Sequence, residues 1–161
     1  MNHPQIKITV KNFGTMTAEL YPEMAPLTVA NFLKLARERF FDGLIFHRVI
    51  SGFMLQGGGY NEQMEEKRAD AIRGEFAANG FKQNTLKHGR GVLSMARTND
   101  PNSASSQFFI MHADAPHLDG QYAAFGKVVS GMETVDEIAS IPTDYSDRPK
   151  IAVRMKKVYI A

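Results

Sequence analysis

The chain contains no cysteine. That absence excludes disulfides, iron–sulfur clusters and Cys-ligated zinc together, and it suits a reducing cytoplasm. Long apolar runs are missing too. No stretch approaches the ~18 consecutive apolar residues that read as a membrane span. The opening Met1-Asn2-His3-Pro4 has no basic region leading into an apolar segment, so we expect a soluble, unexported, cytoplasmic protein. An excess of one charge is absent as well: 19 Lys and Arg face 17 Asp and Glu, for a net charge of +2. That is too small to argue for a nucleic-acid partner or an acidic membrane. No internal repeat and no low-complexity linker interrupts the 161 residues. The length suits one domain spanning 1–161 and a monomer, with roughly two-thirds of the unfolded surface buried on folding.

What the chain does contain is short extended segments. Residues 6–10, 16–20, 44–50, 53–56, 92–96, 107–111, 123–129 and 153–160 are rich in β-branched or aromatic side chains, with Gly, Pro or Asn between them. Such runs read as strands. Two segments have helical spacing instead. In 27–39 the apolar positions Val29, Phe32, Leu33 and Ala36 form one stripe, and in 132–140 Val135, Ile138 and Ala139 do so. Eight strands and two helices predict a mostly β fold, a closed eight-stranded antiparallel barrel capped by two α-helices. Two long connections, 58–85 and 97–106, are polar, and loops of that length usually carry function. The charged cluster from Glu62 to Arg68 is read as a solvated surface turn.

One arginine is out of place. Arg48 sits in an otherwise apolar strand, and arginine is almost never buried unpaired. Strand alternation puts it opposite His47 and Val49. The same alternation groups Met54 with Gln56, and Gln107 with Phe109. If those three strands are neighbours, one outer face carries all five, an apolar floor beside a guanidinium and two amides. The bland alternative is an arginine paired with a surface carboxylate.

The run FHRVISGFMLQGG at 46–58 resembles the cyclophilin signature. MARTNDPNSASSQFFI (95–110), LDGQYAAFGKV (118–128) and GEFAANGF (74–81) resemble further cyclophilin motifs, in the same order and at similar spacing. The resemblance covers essentially the whole chain. It implies a cyclophilin-like barrel whose substrate lies on the outer wall, and a peptidyl-prolyl cis/trans isomerase that needs no cofactor and no metal. It implies that Arg48 is catalytic and reaches the proline amide. Phe53, Met54, Phe109 and Leu118 would form the proline pocket. Gln56, Gln107 and the backbone at Ala96 would bind the peptide around it, with Arg97, His117 and Tyr122 at the rim. The implied partners are proline-containing peptides, unfolded or folding proteins, and cyclosporin at weakened affinity.

The sequence departs from the common family pattern at the rim. His117 stands where many members carry tryptophan, which is what weakens cyclosporin. Tyr122 stands where many carry histidine, and Arg97-Thr98 replaces an Asn-Ala pair in a loop one residue longer. The third departure unsettles any transfer of backbone contacts on that side.

Other chemistries find little support. The five histidines, at 3, 47, 88, 112 and 117, lack paired ligand spacing. Gly57-Gly58-Gly59 is not followed by the Lys-Ser/Thr of a phosphate loop. There is no Gly-x-Ser-x-Gly. The rival classes are a prolyl-peptide binding module without turnover, and a hollow barrel carrying a small apolar ligand. Inward-facing Phe, Val and Ile argue against the second.

Overall fold

The computed structural model describes residues 2–161. In chain order it runs β1 (Gln5–Val10), β2 (Gly14–Leu20), α1 (Pro26–Arg37), β3 (Arg48–Ile50), β4 (Met54–Gly57), β5 (Val92–Met95), β6 (Phe108–Met111), β7 (Ala124–Ser130), α2 (Met132–Ala139) and β8 (Met155–Ile160). The expected eight strands and two helices are all present. The β1–β2 hairpin closes where the Asn12 backbone turns left-handed, at φ 71°. Asparagine tolerates that conformation better than most residues.

All pairings are antiparallel, in the order β3-β4-β6-β5-β7-β2-β1-β8. The expected closed barrel is corrected here. The sheet curls into a half-barrel whose ladder stays open between β3 and β8. Residues 44–47, expected to lengthen β3, leave the ladder and make isolated bridges, Leu44 to Asn61 and Ile45 to Arg154. Past that point the outer edge of β3 has another partner: the Val49 N–H donates to the Asp147 carbonyl at 2.8 Å. The 144–148 turn thus takes the β3 edge, and only the chain just before β3 meets the start of β8, through Gly43 N–H to the Met155 carbonyl and Met155 N–H to the Leu44 carbonyl, each at 2.8 Å.

The concave side is filled by aromatic rings. Phe32 of α1 lies 4.9 Å from Phe41, 5.3 Å from Phe108 and 5.4 Å from Phe125, centroid to centroid. Leu55, Leu93, Ile110 and Phe108 point in from the sheet, each fully buried. These side chains occupy the space that a carried ligand would need. Helix α1 turns Val29, Phe32, Leu35 and Ala36 inward. Leu35, on the same 3.6-residue period as Thr28 and Phe32, joins the stripe, and the expected Leu33 is half-buried against the same core.

Helix α1 has no capping side chain of its own; Ala25 stands at its N-cap. The cap comes from 47 residues away. Glu75, only 1% exposed, accepts from the Thr28 N–H and hydroxyl, each at 2.7 Å, and from the Leu27 N–H at 3.1 Å. A carboxylate at that terminus satisfies otherwise orphaned donors and faces the positive end of the helix dipole. Glu75→Ala should cost about 2–3 kcal/mol, since it leaves a buried hydroxyl and two N–H groups without partners. Urea unfolding of the two proteins measures the difference.

Candidate functional site

The register of the ladder builds the site. Directly opposed residues share a face, and Arg48 opposes Gln56, Gln56 opposes Phe109, and Phe109 opposes Ser94. The convex face of β3, β4, β6 and β5 thus carries Arg48, Gln56 and Phe109 in a row, as alternation predicts. Beside them Met54, Val92, Phe109, Met111, Leu118 and Ala124 form a second buried apolar cluster, separate from the aromatic interior. This part of the sheet is apolar on both sides.

A cavity of about 160 Å³ opens on that cluster, lined by Arg48, Phe53, Met54, Gln56, Ala96, Arg97, Phe109, Leu118 and Tyr122. Nine of the eleven expected site residues meet there. Gln107 lines the adjoining polar cavity with Glu66 and Ser105, and its side-chain oxygen accepts from Gln56 Nε2 at 3.1 Å. His117 is exposed and lies outside the lining, 5.8 Å from the Phe53 ring. Met54 and Phe109 are nearly inaccessible floor, at 2% and 5% exposure. The pocket is ring-sized, well below the several hundred Å³ that hold a cofactor.

Arg48 is exposed and, among the described residues, its side chain forms no ion pair within 4 Å and no hydrogen bond. The surface salt bridge is therefore not its role. The other rim arginine is the reverse. Arg97 lies over the Phe76 and Tyr122 rings, 4.9 and 4.7 Å from their centroids, and donates to the Thr98 and Gln121 carbonyls. Tyr122 in turn meets Phe109 edge-on at 5.8 Å.

Three residues that sequence reasoning passed over support the floor. The His88 ring stacks on Phe109 at 6.0 Å. Its Nε2 lies 2.8 Å from Ser94 Oγ and its Nδ1 3.2 Å from Asp119 Oδ1. Neutral His88 can donate from Nδ1 and accept from the serine. Burial holds its pKa below the ordinary value, outweighing the upward pull of the Asp119 hydrogen bond. Ser94 is 0% exposed, so this Ser–His–Asp string offers no nucleophile. It braces the ring above it. No sequence spacing marks the set, because 88, 94 and 119 come from three different segments.

A family model described as cyclophilin type peptidyl-prolyl cis-trans isomerase/CLD matches residues 5–160. The chain belongs to the cyclophilin family. A peptidyl-prolyl cis-trans isomerase of Acinetobacter baylyi is 44% identical over 158 residues, covering 92% of this chain and 81% of the relative. The peptidyl-prolyl cis-trans isomerase CYP18-1 of Arabidopsis thaliana is 41% identical, covering 92% of this chain and 91% of that one. Among solved structures, a Cryptosporidium parvum cyclophilin superposes with a TM-score of 0.87 at 31% identity, covering 99% of this chain and 98% of that one. The same Cryptosporidium protein was also solved in the presence of the dipeptide Ala-Pro (TM-score 0.85, 32% identity). This cyclophilin is a peptidyl-prolyl cis-trans isomerase. Among the described residues no helix is long and apolar enough to cross a membrane.

Next to the free guanidinium lies His47, whose pKa falls to about 4, first because the ring is buried and then because Arg48 and Arg148 are positive. A base with a depressed folded pKa binds fewer protons folded than unfolded between its two pKa values. Stability is therefore full above about pH 6.5 and is lost progressively as pH falls toward 4. A series of melting temperatures from pH 7 to pH 4 should fall, and His47→Gln should flatten part of that slope. An unchanged slope in the variant would place the protonation elsewhere.

Proposed function

We propose that this isomerase holds a single X–Pro bond against the convex wall, with the proline ring on Phe109 and Met54 and with Arg48 beside the imide nitrogen. The observation that carries the reading is the unpaired, exposed guanidinium at the edge of a ring-sized apolar hollow. Phe53 and Leu118 would close the sides of that hollow. Gln56 and Gln107, already coupled, would bind the peptide beyond the proline. The Ala96 N–H is taken by the Gln107 carbonyl at 3.0 Å, so the Ala96 carbonyl is the backbone group left for a peptide. Arg97, Tyr122 and His117 would form the rim.

The chemistry follows from the bond. Partial double-bond character gives the peptide C–N bond a rotation barrier of ~18–20 kcal/mol, and uncatalysed exchange takes about tens to hundreds of seconds. No bond is broken, so neither nucleophile nor general base is called for. Rotation accelerates if the site favours the twisted imide over the planar one. Twisting returns the lone pair to the proline nitrogen, and Arg48 would donate to it. A hydrogen bond from a charged group is worth about 1.5–3 kcal/mol net, whereas a million-fold acceleration needs about 8 kcal/mol. The remainder falls to the pocket, which fixes the ring while the preceding carbonyl swings and which strips water from the polar planar amide.

The substrates we assign are proline-containing segments of unfolded or folding proteins, handled by one cytoplasmic, monomeric domain with neither membrane nor nucleic-acid partners. Cyclosporin would bind weakly, since His117 offers less surface than an indole and stands outside the pocket lining.

Arg48→Ala should lower kcat/KM by roughly 10²–10³, the equivalent of about 3–4 kcal/mol, in a protease-coupled assay on a proline tetrapeptide. Arg48→Lys should recover little, because an ammonium lacks the planar fork. Tight peptide binding with no acceleration would instead mark a binding module. Because arginine does not titrate there, the wild-type rate should be flat from about pH 6 to 9. A step near pH 6.5 would bring a histidine into the mechanism in place of Arg48.

A further inference from the structure

The two arginines at the pocket are held so differently that they cannot do the same work. Arg48 is free on every side. Arg97 is held by two aromatic rings and two backbone carbonyls. Its guanidinium carbon lies over the Phe76 ring at 4.9 Å and over the Tyr122 ring at 4.7 Å. One terminal nitrogen donates to the Thr98 carbonyl at 2.9 Å and the other to the Gln121 carbonyl at 2.7 Å. Its Nε is shielded from solvent and has no partner. Leaving a buried donor unsatisfied carries a cost, which the paired cation–ring contacts offset.

Tyr122 is the residue with most to gain. Among the described residues its hydroxyl makes no hydrogen bond within the protein, and its ring is located by Arg97 on one side and by the edge-on contact with Phe109 on the other. The stack runs Phe76, Arg97, Tyr122, Phe109. It joins the 58–85 connection, the 97–106 loop, the turn before β7, and the pocket floor on β6. We propose that Arg97 is a positioning residue: it clamps Tyr122 upright as the wall of the proline pocket and acts on substrate only through that ring. This deepens the isomerase-site reading above and rests on it.

The proposal separates binding from chemistry. A wall that touches the ring equally in the planar and twisted states contributes uniform binding, so its loss raises KM and leaves kcat alone. Lysine cannot replace the clamp. It has no planar face to lie between two rings and no fork to reach two carbonyls.

The test uses a synthetic peptide with a single Ala-Pro bond, with affinity and exchange rate both read by NMR. Arg97→Ala and Tyr122→Ala should each weaken binding about five- to tenfold, with kcat within twofold of wild type. The double variant should be no worse than either single one, because both remove the same wall. Arg97→Lys should match Arg97→Ala. In the unmutated protein the Arg97 Nε–H resonance should be shifted upfield by the two rings and exchange slowly with water. That readout needs no variant to fold. Three results would overturn the clamp: effects that multiply in the double variant, which would mean Arg97 touches the peptide itself; full activity in Arg97→Lys; or an unshifted, fast-exchanging Nε–H. A wild-type protein that binds the peptide without accelerating its exchange would sink the isomerase-site reading instead, and the clamp would then be decided by the affinities and the resonance alone.

Discussion

A filled interior governs where chemistry can occur in this molecule. Phe32, Phe41, Phe46, Phe108 and Phe125 are all buried to within 2% of complete inaccessibility, and at native packing density such a core has no space for a peptide. A peptide would therefore have to be met on the outside, and the cavity lined by Arg48 and Phe109 lies on the convex wall. That wall could have been simply polar, as the outer face of an antiparallel sheet commonly is. Over β4, β5 and β6 it is apolar instead. Leu55 and Ile110 face in while Met54 and Phe109 face out, and both sets are buried. A sheet that is apolar on its solvent side needs a cover. The turns holding Leu118 and Tyr122 cover part of it, and the part left open is the pocket.

The electrostatics of the pocket rest on what is missing around Arg48. A carboxylate partner would neutralise the cation and occupy its donors. None stands within 4 Å among the described residues. The neighbouring imidazole of His47, with its pKa at about 4, stays neutral at ordinary pH and adds no competing charge. Arg97 keeps its positive charge but directs its terminal nitrogens to the protein's own carbonyls. One guanidinium is thus left open to solvent and the other is tied to the protein's own carbonyls, although the two have the same chemistry.

Much of this was legible in the sequence because it is periodic. A period of two assigns Arg48, Met54, Gln56 and Phe109 to one face without knowledge of the fold, and the register bears that out. Helix α2 turned the expected Val135, Ile138 and Ala139 inward. The open ladder was not legible. Residues 44–50 read as one continuous strand, and only the Val49–Asp147 contact shows that a loop takes the edge. His88, Ser94 and Asp119 escaped for the same reason as Glu75 and Phe76. Each is defined by a partner in a distant segment, and no local pattern encodes such a pairing. The rim departures at Arg97 and Tyr122 were visible as substitutions, but their mutual contact was not.

The 58–85 connection shows how a segment without a regular ladder can still be structural. Glu75 and Phe76 are consecutive, and the Phe76 backbone is extended, at φ −146° and ψ 158°. Extended backbone sends successive side chains in opposite directions. One therefore enters the N-terminus of α1, where its carboxylate replaces the missing cap. The next supports the Arg97 guanidinium from beneath. Asn84, further along, donates to the Glu75 and Ala124 carbonyls at 2.9 and 2.8 Å, tying the same stretch to β7. Two adjacent side chains thus link the main helix cap to the pocket wall. A change that loosens the backbone at that pair would reach both the cap of α1 and the ring beneath Arg97.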